Sequence, residues 1–135
     1  MNKAKIYLAS PMASTQNREQ YKYSESRMKR NQDIALFLRK QGFEVFLPQE
    51  NQKETGLKTL EVELAFIKEC DCLVAVLSET RGVYLEAGYA KGVGKKTFGL
   101  EVEETRKYSD WTTAFFEGIA KNKEELVGFI KAQAP

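Results

Sequence analysis

The chain has 135 residues, of which 42% are hydrophobic and 30% charged, and its net charge is +2. This length suits one domain over residues 1–135 with a single core, and the small charge gives no electrostatic footprint for nucleic acid. No apolar run approaches the roughly 20 residues of a membrane helix, and the lack of histidine excludes Ser-His-Asp and Cys-His catalysis.

The N-terminus enters strand-like sequence directly, without a signal segment, so a cytoplasmic protein is expected. Lys5–Ala9 is a short β-prone run stopped by Ser10-Pro11. A helix is predicted from about Ser14 to Lys40, with Ser14 or Thr15 as N-cap and Gly42 past its end. Met28, Ile34, Ala35, Leu36, Phe37 and Leu38 would pack it on a sheet, while its tyrosine-rich first half projects or meets a partner. Phe43–Leu47 reads as the second strand, ended by Pro48.

Gln49–Lys58 is a polar loop placed to lie over a crevice as a lid. Thr59–Glu69 reads as a helix with Leu60, Leu64 and Ile67 on one stripe. Cys72–Leu77 is apolar throughout, as a strand covered on both faces should be. A helix over Val83–Lys91 and a strand over Lys96–Leu100 follow, then a charged irregular stretch, Glu101–Asp110. An edge strand is expected around Thr113–Phe116, and a closing helix runs from the N-cap Asn122 to Gln133.

This βαβαβαβ order predicts an α/β fold: a single doubly wound, mainly parallel sheet, Rossmann- or flavodoxin-like, with helices on both faces. Its ligand crevice belongs at the C-terminal strand ends: 9–13, 47–52, 78–82 and from 100 onward. Cys70 and Cys72 flank Asp71 at a spacing that suits a disulfide poorly, and they read as buried, reduced thiols. With no histidine beside them, no metal site and no cofactor is expected.

Acid–base or nucleophilic work must then fall to Asp, Glu, Tyr, Lys or Cys. Glu86 stands out, set among small residues in Gly82-Val-Tyr-Leu-Glu-Ala-Gly-Tyr-Ala90 just after the apolar strand. In the first turn of a helix it would lie near the positive dipole end, which favours the ionised form. Such a carboxylate can serve as a nucleophile, or simply as a solvated helix-start glutamate.

The opening Lys5-Ile-Tyr-Leu-Ala-Ser-Pro11, the string Asp71-Cys-Leu-Val-Ala-Val-Leu77 with its Gly82–Ala90 sequel, Gly94-Lys-Lys96 and the tail Gly118–Ile130 occur in one order. Together they resemble the nucleoside 2-deoxyribosyltransferase superfamily, which includes the 2′-deoxynucleoside 5′-monophosphate N-glycosidases. The resemblance implies cleavage of the N-glycosidic bond between a base and a (deoxy)ribose. Glu86 matches the nucleophile that forms a covalent glycosyl-enzyme, later resolved by another base or by water. Carboxylates perform the equivalent task in retaining glycosidases.

By the same resemblance, Tyr7 would hold the nucleophile's rotamer, and Ser10, Pro11 and Met12 would form the first substrate loop, with Gly82 also lining the substrate. Packing explains Tyr7 as well, and a helix-entry cap explains Ser10. Glu63 falls where the family usually has an aspartate that contacts the sugar or assists the leaving base; a solvent-facing helix glutamate is the competing reading. Asp71 starts its strand at the end opposite the crevice and is given a structural role.

Thr80 and Thr113 match the two positions that face the 5′ end of the sugar, where transferases carry aspartate and asparagine and hydrolases carry serine. A hydroxyl donates to a phosphate that an aspartate would repel, which tilts the reading towards a 5′-monophosphate. The hydrolases' first-loop arginine has no match, although Arg18 or Arg81 could replace it. The resemblance also implies a homodimer or higher homo-oligomer, with Tyr21, Tyr23, Trp111, Phe115 and Phe116 as interface or core. Lys91, Lys95 and Lys96 read as solvated. The expected partner is a small nucleoside or nucleotide, with no nucleic acid and no membrane. The alternative function is a non-catalytic nucleotide-binding or sensing module of the same fold. A receiver or cofactor domain is disfavoured, because no acidic Mg²⁺ cluster or Gly-rich phosphate loop follows the first strand.

Overall fold

A computed structural model of the chain describes residues 3–12, 24–51, 57–78, 81–102 and 108–133. Its strands are β1 (Lys5–Ala9), β2 (Glu44–Phe46), β3 (Cys72–Leu77), β4 (Lys96–Glu101) and β5 (Gly118–Ala120). Its helices are α1 (Glu25–Lys40), α2 (Leu57–Glu69), α3 (Arg81–Gly92), α4 (Asp110–Phe115) and α5 (Lys123–Gln133). A single 3₁₀ turn, Pro48–Asn51, follows β2.

The five strands pair in the order β2-β1-β3-β4-β5, and every pairing is parallel. The order reverses between β1 and β3, which puts the crevice of a doubly wound sheet at their C-terminal ends. Period-two alternation divides the core. Ile6, Leu8, Val74, Val76, Phe98 and Leu100 meet α1 and α5, whereas Tyr7, Ala9, Leu73, Ala75 and Leu77 meet α2 and α3. All six residues of β3 are buried, because both faces are covered. At the opposite end of the sheet, Asp71 accepts a hydrogen bond from the Lys5 N–H at 2.7 Å and ties β1 to β3.

Four expectations need correction. Helix α1 begins at Glu25: Ser24 is extended, with φ −97° and ψ 115°, and its hydroxyl accepts from the Arg27 N–H. Its own N–H donates to the Met12 carbonyl at 2.7 Å, a bond that replaces helical continuation. Ser14 and Thr15 lie outside the described residues. On this helix Leu36 is 46% exposed, since the sheet takes the stripe Asn31, Ile34, Ala35 and Leu38.

Helix α2 turns the expected Leu64 and Ile67 to the core, with Glu63 on the same side one turn before Ile67, but Leu60 near the start of the helix is 48% exposed. The segment expected as an edge strand at Thr113–Phe116 is instead helix α4. The Ser109 hydroxyl caps it by accepting from the Thr112 N–H at 3.1 Å, and the edge strand follows at Gly118–Ala120.

The cap gives a test of the α1 start. Ser24→Ala should lower unfolding free energy by about 1 kcal/mol, measured by urea denaturation. Were Ser24 inside a longer helix, alanine would be neutral or stabilising.

Candidate active site

Helix α3 buries Val83, Ala87 and Ala90, and Glu86 lies on the same side, three residues after Val83 and four before Ala90. Leu85, on the other side, is 73% exposed. The helical period therefore turns the Glu86 carboxylate towards the sheet. There it accepts a hydrogen bond at Oε2 from the hydroxyl of Tyr7, which is fully buried on β1. Two elements far apart in sequence meet in this bond across the crevice between β1 and β3.

The electrostatics differ from the expectation of a first-turn glutamate. Glu86 is the sixth residue of α3, beyond the first turn where the dipole acts most strongly. Burial pushes its pKa up to about 7; the Tyr7 hydrogen bond pulls against this, and the nearby Glu63 carboxylate raises it further. Burial, followed by the Glu86 charge, also raises Tyr7 far above the ordinary phenol value, so its hydroxyl stays a donor. Glu63 is half-buried on α2, and burial raises its pKa too. The structure thus groups Tyr7, Glu63 and Glu86 into one coupled set.

An aromatic stack supports this set. Phe46, paired in register with Tyr7, lies 5.3 Å from it between ring centroids and 3.9 Å from Phe66 on α2. Phe46, Pro48, Asn51, Thr59, Val62 and Glu63 line a small cleft beside the coupled set. Phe46 and Thr59 were not singled out as site residues from the sequence. The alternation that puts Phe46 on the same face as Tyr7 was a usable signal.

The remaining candidates are more scattered. Ser10 is buried and donates weakly to the Leu8 carbonyl at 3.5 Å, so it is not the cap of α1. Pro11 is buried and Met12 half-buried at the end of β1. Gly82 is exposed in the first turn of α3, where an added Cβ would meet nothing within 4 Å. Thr113 is exposed on α4, its N–H bonded to the Ser109 carbonyl at 3.0 Å. Thr80, Arg18, Tyr21 and Tyr23 lie outside the described residues. Arg81 is exposed as the first residue of α3.

Away from the cleft, Trp111 is 75% exposed and stacks on Phe115, while Phe116 is core. Lys91 is not simply solvated: it pairs with Glu117 at 3.4 Å and sits over the Phe115 ring. Both cysteines are free and buried, and burial pushes them up to about 11 for Cys70 and about 12 for Cys72. Neither is a ready thiolate. Among the described residues, no helix is long and apolar enough to cross a membrane.

The family model described as nucleoside 2-deoxyribosyltransferase matches residues 6–127. The chain belongs to that family. Solved structures similar to this family member include a 2-deoxyribosyltransferase from Bacillus psychrosaccharolyticus, with TM-score 0.75 and 22% identity over 91% of this chain and 90% of the other. The CMP N-glycosidase BcmB of Clostridium botulinum matches with TM-score 0.61 and 22% identity, covering 94% of this chain and 98% of its own. A 2-deoxyribosyltransferase from Leishmania mexicana matches with TM-score 0.57 and 19% identity, over 74% and 65% of the two chains. At these identities the likeness supports the shared α/β fold. No curated protein sequence matches.

In this deoxyribosyltransferase family member, the raised pKa of Glu86 has a stability signature. Its folded value of about 7 exceeds the ordinary 4.5, so the associated stability is complete below the ordinary value and lost as pH rises through about 7. Glu86→Gln should therefore melt higher than wild type at about pH 8.5, by on the order of 2–3 kcal/mol, with the gap closing by about pH 5. Thermal melts at the two pH values measure it.

Proposed function

We propose that the protein cleaves the N-glycosidic bond of (deoxy)nucleosides or their 5′-monophosphates through a covalent glycosyl-Glu86 intermediate. The observation that carries this reading is the partly buried Glu86 carboxylate held by the Tyr7 hydroxyl. In the first step a Glu86 oxygen bonds to the anomeric carbon as the C1′–N bond breaks. The base leaves with the electron pair and needs a proton or hydrogen bond in return.

Glu63 is the proposed donor, because its half-buried carboxyl lines the cleft with Phe46, which stacks on Tyr7; the step needs the proton on Glu63 and Glu86 ionised. In the second step another base, or water, attacks the anomeric carbon and releases Glu86. Tyr7 acts as a positioning residue that also keeps part of the Glu86 population ionised near neutral pH. Ser10, Pro11, Met12 and Gly82 are proposed to line the substrate, and Thr80 and Thr113 to meet its 5′ end, where their hydroxyls suit a phosphate. A role in nucleotide salvage, a cytoplasmic location and a homo-oligomeric state belong to the same proposal.

Glu86→Ala or Glu86→Gln should abolish base release, with at least a thousandfold loss expected on the order of other nucleophile removals. Wild-type rates in a folded Glu86→Ala protein would overturn the mechanism. Comparing deoxyadenosine with its 5′-monophosphate, with and without free acceptor base, separates transferase from hydrolase. Tight nucleotide binding without any base release would instead identify a sensing module.

The nucleophile must be ionised, so kcat/KM should rise with pH along a limb near pH 7. Tyr7→Phe removes the hydrogen bond that holds Glu86 down, and should move that limb to higher pH. A pH profile whose acid limb does not move would remove Tyr7 from this role.

A further inference from the structure

Asn31 is fully buried on α1, on the stripe that otherwise buries Ile34, Ala35 and Leu38. A polar side chain there is costly unless its hydrogen bonds are well used. Its Nδ2 donates twice: to the Pro11 carbonyl at 2.9 Å and to Gln49 Oε1 at 3.1 Å. The orientation is dictated by the partners. The Pro11 carbonyl only accepts, so the Asn31 amide must present nitrogen to it. Gln49 Nε2 donates to the Met28 carbonyl at 2.7 Å, which turns Gln49 Oε1 towards Asn31.

Asn31 Oδ1 has no hydrogen-bond partner among the described residues. The amide thus leaves its acceptor unpaired while both donor positions are taken. The two partners belong to different segments at the crevice end of the sheet. Pro11 lies in the chain leaving β1, and Gln49 in the 3₁₀ turn leaving β2, whose Pro48 and Asn51 line the cleft with Glu63.

We propose that Asn31 is a positioning residue that anchors these two crevice segments to one point of α1 and so sets the shape of the substrate cleft. Its consequence for substrate rests on the N-glycosidic reading; the anchoring itself does not. A second contact holds β2 and the 3₁₀ turn but not the chain leaving β1: Arg39 pairs with Glu50 and also donates to the Val45 carbonyl at 2.9 Å. That contact supplies an internal control. Two backbone amides act as reporters. Ser24 N–H donates to the Met12 carbonyl at 2.7 Å beside Pro11, and Glu50 N–H donates to the Leu47 carbonyl at 3.0 Å within the turn.

Asn31→Asp keeps the shape of the side chain but removes the amide donors. Native-state hydrogen exchange should accelerate at both Ser24 and Glu50 in this variant, and only at Glu50 in Arg39→Met. With deoxyadenosine and its 5′-monophosphate as probes, Asn31→Asp should raise KM about tenfold, the size expected from stranding a buried acceptor. Its kcat should change less than about threefold, while KM of Arg39→Met should change less than about twofold.

Unchanged exchange at Ser24 in Asn31→Asp overturns the shared anchor, and so does an equal rise of KM in both variants. Accelerated exchange at both amides with unaltered KM overturns the role in substrate binding. Gln49→Leu cuts only the arm to the turn and keeps the anchor testable if the aspartate variant does not fold: Glu50 should exchange faster, Ser24 should not, and KM should rise by a smaller factor, whereas unchanged exchange at Glu50 overturns the shared anchor. If the wild-type protein neither binds nor cleaves either probe, the N-glycosidic reading fails, while the exchange data still decide the anchor.

Discussion

The hydrogen bond from the Tyr7 hydroxyl to the Glu86 carboxylate joins the first strand to the third helix across the reversal point of the sheet. It exists only because two periodicities agree. Strand alternation sends Tyr7 to the α2–α3 face, and the helical repeat sends Glu86 back onto that face. A one-residue slip of β1 would send Tyr7 to the opposite layer. The parallel register of β1 with β3, which pairs Tyr7 with Leu73, prevents that slip.

The rest of the site follows from this contact. A carboxylate brought against the sheet is desolvated, and desolvation is what lifts Glu86 to about 7. The Tyr7 hydroxyl limits the rise without adding charge. Glu63 comes to the same place from α2, because it lies one turn before the buried Ile67 on the side that meets the sheet. Phe46 fills the remaining space between Tyr7 and Phe66. The result is two acids and a phenol beside an apolar wall, in which the charge of one group bears on the others.

The stretches that were legible from sequence are those where local pattern and burial coincide. β3 is apolar at every position and is covered on both sides. The α5 cap at Asn122, whose Oδ1 accepts from the Glu125 N–H at 2.8 Å, is of the same kind. The misread segments are those where a local signal competes with a tertiary one. Thr112 and Thr113 are β-prone, yet the Ser109 cap starts a helix there. Leu60 shares the stripe of Leu64 and Ile67, yet it lies near the start of α2 and is 48% exposed. The helix expected to run unbroken to Lys40 is interrupted at Ser24, which is extended and bonded to the Met12 carbonyl, so that α1 starts at Glu25.

By itself the sequence determined the order of strands and helices from β1 to β4, the parallel α/β class, the family and the identity of the carboxylate worth explaining. Spacing and residue type suffice for these, since amphipathic period and motif order are properties of the chain alone. Only the tertiary structure decided the state of that carboxylate. A helix position suggests an ionised glutamate near a dipole, whereas packing against Tyr7 and near Glu63 makes it a desolvated acid that titrates near neutrality. It also revealed the part played by Asn31, whose two partners lie 20 and 18 residues away in the chain. Burial and long-range hydrogen bonds depend on which distant segments meet, and no local pattern encodes that meeting.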